Sequence, residues 1–261
     1  MIPAIRSEFR KFFSTRLWWG LLIPVILGSG VFAWLSAFFF AGTEVGPGVT
    51  LPGLDDPEMV SSTYSAGLQI SQVLLLAVGV LMIGTEYRHK TITSTFLAIP
   101  KRAKVMAAKV ISLLALGAFY GVVGTLTSFG VGAAIIASKG YDILPDGALR
   151  TLVMSLLVLG LWALIGLGIG ILIPSQVAAL FVAVGFAWIV EPLLNLLFAN
   201  QDWGKSIAPY FPSSATEGMV GAVSSPGTTT LVWWAAALVL LAYAAVMTGL
   251  GTWRTLRSDI S

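Results

Sequence analysis

Residues 148–198 read ALRTLVMSLLVLGLWALIGLGIGILIPSQVAALFVAVGFAWIVEPLLNLLF, and the only charged side chains among them are Arg150 and Glu191. A helix needs about 20 consecutive apolar residues to cross the hydrocarbon core of a bilayer. The stretch holds enough for two, Ala148–Ile173 and Val177–Phe198, joined only by Pro174, Ser175 and Gln176. So short a turn forces the two helices to pack as an antiparallel hairpin. Both runs are continuously apolar rather than alternating, which favours helices over the strands of a β-barrel.

The same reading yields four more spans: Trp18–Ala41, Ala66–Gly84, Ala107–Ala137 and Thr230–Thr252. Of the 261 residues, 57% are hydrophobic and 10% charged, and the mean hydropathy is +0.90. Soluble domains carry about 25% charged residues, so this chain cannot cover a water-facing body of its size. The expected fold is an all-α membrane protein of six transmembrane helices, with residues 1–261 forming a single transmembrane domain. No loop is long enough for a second one. The first apolar run is too long for the core of a signal peptide and no convincing cleavage site follows it, so the segment is expected to stay. The chain has no cysteine, which removes disulfides and thiolate chemistry.

The basic residues set an orientation. Arg6, Arg10, Lys11 and Arg16 precede the first span. Arg88, Lys90, Lys101, Arg102, Lys104 and Lys109 lie between the second and third, and Arg254 and Arg257 follow the sixth. These twelve stand against three on the other side, Lys139, Arg150 and Lys205. By the positive-inside rule both termini are expected in the cytoplasm, in a multi-pass protein of the cell membrane.

Residues 1–17 carry Ile5, Phe9, Phe12, Phe13 and Leu17 at helical spacing, with Arg6, Arg10 and Lys11 on the remaining surface. This pattern predicts an amphipathic helix in the inner interface, with Trp18 and Trp19 at headgroup depth. The plainer alternative is a basic flank with accidental periodicity. Residues 200–229 are expected outside. They are apolar for a loop (Trp203, Tyr210, Phe211, Met219) and predict a re-entrant-like segment lying back on the membrane or the protein.

Few residues could carry chemistry. His89 is the only histidine, and there is no phosphate-binding glycine loop. Asp142 and Asp146 have a spacing that could hold Mg²⁺ on a diphosphate, but they stand alone beside Pro145 and read as a solvated turn. No catalytic residue or metal ligand is assigned. Glu191 lies inside the fifth span, followed by Pro192, with Asn195 one turn on. Ionisable groups at membrane depth are functional candidates, so Glu191 and Asn195 are candidates for a translocation path. The alternative is a structural carboxylate satisfied by its neighbours. Gly117, Gly121 and Thr125 in the third span, and Gly166 and Gly170 in the fourth, would allow close helix contact.

The loop after the second span runs from Glu86 through Arg88, His89, Lys90, Thr91, Phe96 and Leu97 to Pro100, Lys101 and Arg102. It predicts a short helix of mixed charge over 86–100, ended by Pro100, on a loop suited to docking a soluble partner. A positive-inside loop without further purpose is the alternative.

Here the chain resembles the permease subunits of type 2 ABC exporters, a six-helix family that includes drug, antibiotic and polysaccharide export permeases. Glu86, Arg88, Thr91, Phe96-Leu97, Pro100, Arg102 and Lys109 follow the order of the family's pattern, with Lys90 where the family often has glycine. The N-terminal helix, the turn at Pro174, and Tyr210-Phe211-Pro212 before the last span also fit. The resemblance implies a permease without enzymatic activity that binds no cofactor itself, paired with a second permease subunit as homodimer or heterodimer. ATP and Mg²⁺ would sit on a separate ATPase subunit. Glu86, Arg88, Lys90, Thr91, Phe96, Leu97, Pro100 and Arg102 would transmit the ATPase motion, together with Arg6, Phe9, Arg10, Lys11 and Phe13 of the interfacial helix. The bilayer is a partner and nucleic acid is not. Two other classes remain open at this stage: a membrane-embedded lipid-modifying transferase, and an immunity or structural subunit that does not transport.

Overall fold

The computed structural model describes residues 1–40, 53–99, 101–199, 201–222 and 230–257. Helix α1 spans Ile2–Phe13, and a three-residue turn leads into α2, Leu17–Phe40. Next come α3, Pro57–Ser65, and α4, Leu68–Arg88. The short α5, Thr91–Ala98, precedes the long α6, Arg102–Ser138. Helix α7, Ala148–Leu172, turns at once into α8, Gln176–Gly185, a π-helical turn over Phe186–Val190, and α9, Glu191–Ala199. Then follow α10, Asp202–Ile207, a single 3₁₀ turn, α11, Pro212–Val220, and α12, Trp233–Arg257.

Six of these stretches are long and apolar enough to cross a membrane: 17–40, 57–88, 102–138, 148–172, 176–198 and 233–255. The chain is an all-α membrane protein, as its composition requires.

Helix α7 is central and packs against α4, α6 and α12. Lipid tails are as apolar as leucine, so helices associate in a bilayer through close van der Waals packing rather than hydrophobic exclusion. Glycine permits that approach here. A methyl group added to Gly79 of α4 would overlap the Ala163 carbonyl of α7, and one added to Gly166 would overlap that of Leu76. The expected contact at Gly117 is also made, against Gly160.

The second span differs from its sequence reading. It begins at Pro57 rather than Ala66, because α3 leads into α4 through Ala66 and Gly67, both of helical conformation. Asp56 caps the new start by accepting the Glu58 N–H at 2.8 Å, with Pro57 at the first helical position.

In the fifth span, Pro192 lacks the N–H that would reach back one turn, and its ring would press on the carbonyl of Trp188. The wider π turn at Phe186–Val190 absorbs that conflict. Residues 201–222, within the segment expected outside, are mostly helical. Helix α11 is buried along Ala215, Met219 and Val220 and rests on α7 and α12, so it lies back on the protein. Trp162 of α7 ties it down by donating its indole N–H to Thr216 at 3.0 Å.

Candidate functional site

Among the described residues, the buried charged side chains fall in two regions. The first is at the end of the bundle where α1, α5 and the C-terminal end of α12 gather. Helix α1 buries Ala4, Glu8 and Phe12, which share one face. A carboxylate on the buried stripe needs a cation, and α6 supplies Lys109, fully buried two turns into the helix. The Lys109 ammonium donates to Glu8 Oε2 and to Glu86 Oε1, both at 2.8 Å. Lys11 donates to Glu8 Oε1 at 2.7 Å and to Glu86 Oε1 at 2.6 Å. Two acids and two bases therefore form one closed, charge-balanced cluster joining α1, α4 and α6. Burial alone would lower the pKa of Lys11, but bonds to and charges on Glu8 and Glu86 more than reverse this and raise it above the ordinary lysine value.

This geometry changes the sequence reading of the loop. Glu86 and Arg88 belong to the last turn of α4, and the expected helix over 86–100 is broken at His89 and Lys90. Lys90 adopts the left-handed conformation, φ 54°, and the separate helix starts at Thr91. Arg88, His89 and Lys90 are all exposed at the end of α4, where the break falls. Glu86 faces inward into the ion cluster.

Helix α5 buries Ile92 and Phe96 and presents Thr91, Thr93, Ser94 and Leu97 outward, with Leu97 78% exposed. Arg102 stacks its guanidinium over the Phe96 ring, 5.4 Å from the centroid, and donates to the Thr255 carbonyl at 3.1 Å. Arg88 and Lys90 are exposed. Pro100 lies outside the described residues. On α1, Arg6, Arg10 and Phe13 are exposed and Phe9 is half-buried.

The second region is at the opposite end. Helix α11 begins without a capping side chain of its own, since its N-cap is Phe211. Glu191, the first residue of α9 and fully buried, accepts the Ser213 N–H at 2.5 Å and so caps α11 from another helix. Asn195, one turn further, donates to Ser214 Oγ at 3.2 Å. Both translocation-path candidates thus meet at the start of α11. They then diverge: Asn195 faces a cleft and Glu191 does not line it.

That cleft has a volume of about 1120 Å³ and lies between α2, the α3–α4 junction, the π turn with α9, and α11. Phe32, Phe39 and Trp188 give it aromatic walls, and Gln72, Asn195 and Glu217 are among its polar lining residues. Burial pushes the pKa of Glu217 up to about 7.

Sequence reasoning missed Glu8, Lys109 as a buried group, Gln72 and Glu217. Glu8 carried a signal: it falls on the stripe that also holds Ala4 and Phe12, where a solvated acid does not belong. No protein-family model matches the chain, and no curated protein sequence matches it.

Proposed function

We propose that the chain is the membrane-spanning permease subunit of an ATP-binding cassette exporter, forming the pathway for a hydrophobic or amphipathic substrate and driven by a separate ATPase subunit. The observation that carries this reading is the construction of α5. It is a short helix held at one end of a six-span domain, anchored inward by Ile92 and Phe96. It presents an exposed leucine beside the exposed Arg88 and Lys90. A solvent-side leucine flanked by cations suits a specific protein surface, with apolar anchor and charged rim.

The buried cluster gives that surface a mechanical link. A push on α5 reaches α4 and α6 through the chain on either side of it, and Lys109 with Glu86 passes it to α1. The basic end is then the cytoplasmic one, as the lysine and arginine distribution requires. The exporter reading also takes a second permease copy as partner.

The test is co-purification with the ATPase subunit, plus ATP hydrolysis in proteoliposomes. Leu97→Asp and Arg88→Glu are expected to weaken assembly or to separate hydrolysis from transport, with membrane insertion unchanged. Normal assembly and coupling in both variants would remove α5 from the mechanism and with it the exporter reading.

A further inference from the structure

The walls of the far-end cleft have one electrostatic character. Glu217 lines it, and among the described residues no lysine, arginine or histidine does. Two amides carry acceptor oxygens that no group among the described residues pairs. Gln72 is only 7% exposed and its Oε1 has no hydrogen-bond partner, and the Oδ1 of Asn195 is likewise buried and unpartnered. A buried acceptor left unsatisfied is costly, so a site built this way favours a ligand that brings donors or positive charge. The rest of the wall is aromatic and aliphatic: Phe32, Phe39 and Trp188, with Leu35 and Leu196. Ring faces attract cations, tryptophan most strongly. A volume of about 1120 Å³ is ample for a drug-sized molecule.

We infer that this cleft is a binding site for lipophilic organic cations, whose charge is met by Glu217, Gln72 and Asn195 and whose apolar body is held by the aromatic walls. The inference rests on the exporter reading in naming the cargo of that pathway, but it makes a separate claim about charge. An anionic amphiphile of the same shape would meet a carboxylate and two carbonyl-type oxygens with no cation to compensate. A neutral acyl chain would leave the acceptors unsatisfied.

The probe pair is tetraphenylphosphonium and tetraphenylborate, equal in shape and opposite in charge. Each is measured by equilibrium dialysis at about pH 8.5, where Glu217 is ionised, against the full-length purified chain in detergent, with binding to protein-free micelles subtracted. Saturable binding of the phosphonium is expected, and none of the borate. Glu217→Gln removes the charge at nearly constant shape and should weaken phosphonium binding by about tenfold or more. Gln72→Leu should weaken it by a smaller factor. Elution volume and thermal midpoint report whether each variant is folded, and either folded variant suffices as the test. Absence of saturable phosphonium binding, equal binding of the borate, or unchanged affinity in a folded variant each overturns the assignment. No ATPase is present in this experiment, so its failure leaves the docking role of α5 to its own test, and failure of α5 to dock leaves the cation site standing.

Discussion

Lys90 holds φ at 54°, a conformation in which a side chain crowds its own backbone and glycine does not. Lys90→Gly is therefore expected to fold at least as well as the parent, within about 1 kcal/mol. The β-branched Lys90→Val should lower the unfolding midpoint in a detergent titration. Equal midpoints for glycine and valine would mean that the turn relaxes freely. Lys109 is a harsher case. Breaking a buried ion pair by removing one member typically costs about 3–5 kcal/mol, because the other charge is stranded. Lys109→Met should reach that range, and adding Glu86→Leu should recover part of it by restoring balance between Glu8 and Lys11. A neutral effect of Lys109→Met would show that the cluster is solvated. Glu217 sets a pH dependence. Its carboxyl titrates near 4.5 when unfolded and at about 7 when folded, so the folded state holds the proton more tightly. Stability contributed by this group is present at low pH, falls as pH rises from 4.5 through 7, and is level above. Thermal midpoints measured across that window should decline in the parent, and Glu217→Gln should flatten this part of the curve.

Among the elements, α11 depends most on a residue outside itself. With Phe211 at its N-cap, its first free N–H groups look to Glu191. Glu191→Leu deletes the acceptor and should cost about 1–3 kcal/mol, with faster proteolysis between α10 and α11, while Glu191→Gln keeps one oxygen for Ser213 and should cost less. Equal proteolysis of both variants and the parent would separate Glu191 from the folding of this segment. The elements also show where sequence reading succeeds. The Ala148–Ile173 span was legible to within a residue, since hydropathy alone delimits it. Helix α3 was not, because Glu58, Ser61, Ser62 and Thr63 lower the hydropathy of a stretch that packs inside the bundle. Its Asp56-Pro57 start was a local signal that a hydropathy window passes over. The break at Lys90 was hidden for another reason: a lysine gives no sign that its backbone is left-handed. The site was less legible than the fold. Glu191 and Asn195 stand out because acids and amides are rare within spans, but Gln72 and Glu217 gain meaning only once α4 and α11 face each other.

At the scale of the whole molecule, α7 is the helix around which the others close, and its glycine contacts fix the spacing. Gly79→Leu would drive a side chain into the Ala163 carbonyl and should abolish a stable monodisperse fold, whereas an exposed position such as Leu157 should accept most apolar residues. The proposed topology can be read with single cysteines, since the chain has none of its own. Ser138→Cys should react with an impermeant thiol reagent in intact cells and Ser94→Cys should not, and the reverse pattern would invert the molecule. The ion cluster has a consequence for synthesis. Glu8 and Lys109 are 101 residues apart, and a ribosome adds about 5–20 residues per second. Helix α1 leaves the ribosome with only its own Lys11 to pair with Glu8, and the buried partner Lys109 emerges on the order of ten seconds later. Until then the second oxygen of Glu8, on an otherwise apolar stripe, lacks the buried ammonium that meets it in the folded bundle. Full docking of the newborn helix therefore waits for the third span, and it marks the moment when the first half of the bundle is complete.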